Sequence, residues 1–161
     1  MGAVLDPQTH TPRDAAATTG RRLVTCFGGA RDFLGNRFVY VTVSPRAGGL
    51  TVGVNLNLDR RCNFDCVYCE VDRHKPQNHG ACDVEAMAAE LAATLERVRD
   101  GDLRRLPGFQ DLPPELLELR HVALSGEGEP TLCPQFAEAV QAVVHVRARG
   151  QFPFFKITLL T

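Results

Sequence analysis

Cys62-Asn63-Phe64-Asp65-Cys66-Val67-Tyr68-Cys69 places three thiols within eight residues, spaced C-x3-C-x2-C. Thiols this close are poorly placed for pairwise bridges and well placed to converge on one soft metal centre. Three ligands rather than four is the informative part. An iron–sulfur cube held by three cysteines keeps one iron without a protein ligand, free to bind another molecule. The rest of the chain then has to supply a scaffold that carries such a loop.

Composition is consistent with that scaffold. At 161 residues the chain is long enough for one domain with its own core. A net charge of −1 and a pI of about 6.5 give no global basic field for nucleic acid, although a local basic patch is compatible with one. No apolar run is long enough to span a bilayer. Residues 1–20 are rich in Ala, Thr, Pro and Asp and lack the apolar stretch of a signal peptide, so they read as a disordered tail. Three of the six cysteines crowd together without an export signal, which points to a reducing cytoplasm and a metal site. Cys26, Cys82 and Cys133 are scattered and read as buried free thiols. The Asp59-Arg60-Arg61 run reads as a solvated strand end.

After the tail, residues 21–49 form an extension with one strand, Arg37 to Val43, and a turn-rich connection from Ser44 to Gly49. Leu50 to Leu58 is the expected first strand of the main unit, 50–161. The cysteine segment follows at once, on a loop beyond the carboxyl end of a strand, where α/β folds place their sites. Asp83 suits a helix cap, and Val84, Met87, Leu91, Leu95 and Val98 recur at three and four residues until Gly101. A short helical turn is expected near Pro113 to Leu117, and a strand from Arg120 to Ser125. Pro134 opens a second helix that should bury Phe136, Val140, Val143 and Val144 and stop at Gly150. Phe155 to Thr161 is a further strand. This alternation indicates a parallel α/β sheet. The last strand is apolar and has no following helix to cover it, so the chain reads as an N-terminal fragment.

The cysteine segment resembles the cluster motif of the radical SAM (S-adenosylmethionine) superfamily, including the aromatic residue before the third cysteine. Ser125-Gly126-Glu127-Gly128-Glu129-Pro130-Thr131-Leu132 resembles that family's glycine–glycine–glutamate element. Together they look most like the tRNA wyosine-synthase-like iron–sulfur oxidoreductases. The resemblance implies a partial (β/α)6 barrel, here its N-terminal half, preceded by a β-hairpin-like extension. It implies that Cys62, Cys66 and Cys69 bind a [4Fe-4S] cluster whose fourth iron takes the amino and carboxylate groups of S-adenosylmethionine. Tyr68 would approach the adenine, and Gly126 and Gly128 would allow close backbone approach. In this chain a glutamate separates the two glycines, so Glu127 and Glu129 are both candidates to face the methionyl ammonium. Glu129, ahead of the proline, is the favoured one.

In that family one electron from a ferredoxin- or flavodoxin-type donor cleaves the sulfonium reductively. The 5′-deoxyadenosyl radical then removes hydrogen from the substrate. A tRNA base is the substrate the subgroup resemblance implies, while a protein or small metabolite stays open. The alternative from the residues alone is a zinc-stabilised binding module without catalysis, with His74 as fourth ligand to the three cysteines.

Overall fold

Val39–Ser44 (β1) and Gly49–Val54 (β2) pair antiparallel, Val39 opposite Val54 and Ser44 opposite Gly49. The computed structural model describes residues 33–44, 46–69, 71–72 and 81–161. The tail over 1–20, Cys26 and His74 therefore lie outside the described residues. β2 pairs parallel with β3 (Leu119–Leu124), and β3 parallel with β4 (Lys156–Leu159). The strand order is β1-β2-β3-β4. A parallel pair cannot be closed by a tight turn, and each parallel step here is bridged by a helix. These are α1 (Val84–Arg99) and α2 (Phe136–Arg149), which pack against each other. The chain is thus a mixed α/β protein with a four-stranded, mostly parallel sheet. Among the described residues no helix is long and apolar enough to cross a membrane.

The core sits where β2 meets α1. Leu50, Val52 and Val54 on β2 are fully buried, as are Met87 and Leu91 on α1, with Leu95 almost so. The expected α1 stripe is present, with Val84 and Val98 only partly buried at its ends. Asp83 caps α1, its Oδ1 accepting from the Ala86 amide at 3.0 Å. Arg97 and Arg99 in the last turn suit the negative end of the helix dipole. On α2 the buried stripe is Ala139 and Val143, four residues apart. Val144, expected in the core, is 43% exposed because one residue further on rotates it about 100° away from that stripe. Burial declines toward β4, whose residues are half-buried or exposed, and Phe154, Leu159 and Leu160 face solvent.

Among the boundaries that differ from the sequence expectation, those of β2 and α2 have a local cause. β2 ends at Val54 rather than Leu58, because Asn55 folds its own side chain onto the backbone. Its Oδ1 accepts from the Asn57 amide at 3.1 Å, and the Arg60 amide then closes a turn on the Asn57 carbonyl. Such local side-chain bonds compete directly with a strand ladder. Asn55, Leu56 and Asn57 nevertheless stay buried. α2 begins at Phe136, because Pro130–Leu132 forms a separate 3-10 turn closed by the Cys133 amide on the Pro130 carbonyl.

One anchor joins the hairpin to α1. The Glu90 carboxylate accepts from three successive backbone amides at the start of β1, Arg37 at 2.9 Å, Phe38 at 2.8 Å and Val39 at 3.1 Å. Asn36 adds a bond from its Nδ2 to Thr94 Oγ1 at 3.1 Å. β1 is an edge strand, and the carboxylate gives the amides at its start an acceptor. Glu90→Ala should lower stability by about 1–3 kcal/mol, and Glu90→Gln, which keeps one acceptor oxygen, by less. Urea unfolding measures both, and a loss under about 0.5 kcal/mol for Glu90→Ala would contradict the anchoring role.

Candidate metal centre

The site is built where two loops leave the same end of neighbouring strands. Residues 55–69 follow β2, and Ser125 to Glu129 follow β3, with Val54 opposite Leu124 at the last rung. The ladder continues into the loops. The Ser125 amide donates to the Val54 carbonyl at 3.0 Å and the Glu129 amide to the Arg61 carbonyl at 2.9 Å. This close approach requires glycine. A Cβ on Gly126 would strike Asn55 Oδ1, and one on Gly128 would strike the Arg61 carbonyl. Both glycines admit the loop that carries the cysteines.

Cys62 and Cys66 are half-buried and Cys69 is exposed, none of them in a disulfide, with a turn from the Cys69 amide to the Cys66 carbonyl at 3.0 Å. Among the described residues no three His, Cys, Asp or Glu side chains stand close enough to hold a metal ion. The donor set itself fits a soft, thiolate-bound centre: three unbridged sulfurs on one short loop. The apolar side chains around them are not packed away. Phe64 is 44%, Tyr68 82% and Val67 fully exposed. The nearby Cys66 sulfur holds the Tyr68 phenol above its usual range.

The two candidate glutamates have different environments. Glu127 is engaged by the cysteine loop: Arg60 donates to its Oε1 at 3.2 Å, Asn55 Nδ2 to its Oε2 at 3.5 Å, and its own amide to Asn55 Oδ1 at 3.2 Å. Glu129 is buried, 3% exposed. Its Oε1 accepts from the Thr131 amide at 3.1 Å, the Thr131 hydroxyl at 2.6 Å and the Thr161 hydroxyl at 2.9 Å. Its Oε2 accepts no hydrogen bond among the described residues. Burial raises the Glu129 pKa, but the bonds from Thr131 and Thr161 outweigh it and hold the carboxyl below the usual range. Beside Gly128 lies Asn57, whose buried Oδ1 also has no partner among the described residues. The junction therefore offers two acceptors, a carboxylate oxygen and an amide oxygen, to a ligand that donates.

Sequence reasoning missed two features of the site. Arg60, expected to be a solvated strand end, is only 16% exposed in its side chain and bridges Glu127 to the Asp72 carbonyl at 3.2 Å. Cys82 and Cys133, read as scattered, are neighbours. Burial and the adjacent Cys133 sulfur, to which it hydrogen-bonds, push the Cys82 thiol up to about 12. It stays protonated at neutral pH. Nothing in the local spacing signals either contact, because each joins segments far apart in the chain.

No protein-family model matches the chain, and no solved structure does. Among curated proteins it is similar to the UPF0026 protein of two Helicobacter pylori strains, 28% identical over 107 residues in each. The match covers 65% of this chain and 30% of the relatives' length, so the chain spans about a third of those proteins.

The lowered Glu129 carboxyl has a defined consequence for stability. A depressed pKa contributes stability above the usual carboxylate range, and that contribution is lost as pH falls through the lower folded-state value. Glu129→Gln should therefore be less stable than the unchanged protein at neutral pH and should lose less on acidification through that window. Urea unfolding across an acidic pH series tests this, and parallel profiles for the two proteins would contradict it.

Proposed function

We propose that this chain is the cluster- and cofactor-binding part of a radical S-adenosylmethionine enzyme. The observation that carries the reading is the join between the two loops. The three-cysteine segment and the glycine–glutamate segment leave the same ends of adjacent parallel strands and are hydrogen-bonded to each other, Glu129 amide to Arg61 carbonyl. Two motifs distant in sequence and adjacent in space are what one composite site requires. The finer fold reading, the first half of a partial (β/α)6 barrel, is supported by the succession β2-β3-β4. Each strand lies beside the next, with a helix between each pair. Distant similarity to longer proteins agrees with a chain that forms part of a larger unit.

Cys62, Cys66 and Cys69 would hold a [4Fe-4S] cluster by three thiolates, leaving one iron for S-adenosylmethionine. When bound, cluster and cofactor together supply reductive cleavage of the sulfonium and hydrogen abstraction from substrate, with the electron coming from a ferredoxin- or flavodoxin-type donor. The protein's part is binding and orientation. Glu127 is committed to Arg60 and Asn55, whereas Glu129 keeps Oε2 for a methionyl ammonium. Its low pKa keeps it charged for that purpose at neutral pH. Asn57 Oδ1 would accept a further donor. Tyr68 on the loop rim would cover the adenine side. A tRNA base is the substrate that the subgroup resemblance supports.

Anaerobic reconstitution with iron and sulfide tests the reading. The protein should hold about four irons and four sulfides per chain, and Cys66→Ala should lose the cluster. Cys133→Ala, outside the motif, should retain it. Stoichiometric zinc without sulfide, or iron kept after Cys66→Ala, would contradict the assignment.

A further inference from the structure

We propose that Arg60 is a positioning residue that locks the three-cysteine loop onto the Gly126–Glu129 segment, so that a metal taken by Cys62, Cys66 and Cys69 has less of the loop left to order. The proposal rests on the reading that these thiols are ligands and adds the element that holds them in place. One guanidinium nitrogen, Nη1, donates to the Asp72 carbonyl at 3.2 Å, and the other, Nη2, to Glu127 Oε1 at 3.2 Å. The first bond closes the chain from 60 to 72 into a ring that contains every cysteine of the motif. The second fastens that ring to the neighbouring loop, where Asn55 holds Glu127 from the opposite side. Both partners of the ion pair are largely shielded, at 16% and 23% side-chain exposure, so water screens it less than a surface pair.

The backbone at Arg60 supports the same role. Its φ is +59°, in the left-handed region that favours glycine, and its amide donates to the Asn57 carbonyl at 3.0 Å. This conformation reverses the chain immediately before Cys62 and aims the side chain back across the loop. A glycine would make the turn more easily but would have no guanidinium with which to close it. The planar fork also explains why arginine suits the position. Two nitrogens at fixed spacing reach two acceptors at once, which a lysine ammonium on a flexible stem does less well. On the cysteine loop Val67 and Tyr68 are exposed. Groups that orient ligands from outside the coordination shell commonly govern metal affinity about 10–100-fold.

Cobalt(II) is the probe, titrated into the reduced, metal-free protein and followed by thiolate-to-cobalt charge-transfer absorption. Arg60→Met should weaken cobalt binding by about tenfold or more, while the urea midpoint of the metal-free fold changes little. Glu127→Gln, which leaves the Arg60 turn untouched, should weaken it similarly, and the double variant no more than the weaker single one. Arg60→Lys should fall between. If Arg60→Met fails to fold, Glu127→Gln decides the matter. Cobalt affinities within about twofold of the unchanged protein for the foldable variants would overturn the proposal. So would an unchanged protein that gathers no thiolate-bound cobalt. Tight, Arg60-dependent cobalt binding in a protein that assembles no iron–sulfur cluster would remove the radical enzyme reading and leave the role of Arg60 standing.

Discussion

The backbone hydrogen bond from Glu129 to Arg61 is the contact on which the site depends, because it turns two loops into one surface. It can form only if several conditions hold together. β2 and β3 must be parallel neighbours in a register that ends both at the same level. α1 must be long enough to carry the chain back to start β3, and its 16 residues are. Gly128 must lack a Cβ, since one would collide with the Arg61 carbonyl itself. The strand, the helix and the glycine are thus all requirements of one polar contact, which sets the glycine–glutamate segment beside the start of the cysteine loop.

The frame around that contact is stiffened from β1. Glu90 secures the entry of β1 to α1 through three amides. At the other face of the site, the Tyr40 hydroxyl reaches across the sheet to Ser125 Oγ at 2.9 Å, at the first residue of the glycine–glutamate segment. β1, which precedes the main unit in sequence, is therefore part of the same sheet and a support for the site. Rigidity near the strands gives way to an open rim at Val67 to Cys69. The proposed centre, which would admit a small cofactor and a separate substrate, would be served by that gradient, with anchored acceptors below and accessible thiols above.

Local patterns were legible in the sequence because the forces behind them are local. The three- and four-residue spacing of Met87, Leu91 and Leu95, and Asp83 ahead of them, defined α1 almost to its ends. Strand–helix alternation gave the parallel order, since crossover chemistry leaves few choices. The cysteine spacing made Cys62, Cys66 and Cys69 the candidate ligands, because three thiols in one loop have few other uses. What stayed hidden involves partners distant in the chain. Glu90 binds amides more than 50 residues away, Arg60 binds Glu127 67 residues away, and Cys82 meets Cys133. Each looks like an ordinary surface charge or stray thiol until the fold brings the partner in. The early end of β2 was missed for a related reason: an apolar, β-prone run was overridden by one Asn side chain that prefers its own backbone.

The proposed cluster on the open loop would have a vacant coordination position next to an acceptor for S-adenosylmethionine. Electron paramagnetic resonance of the anaerobically reconstituted, dithionite-reduced protein, recorded before and after adding S-adenosylmethionine, tests it most directly. The account predicts a reduced [4Fe-4S] signal whose g values shift when the cofactor is added. A cluster signal indifferent to S-adenosylmethionine, or no cluster signal from a folded protein, would contradict it.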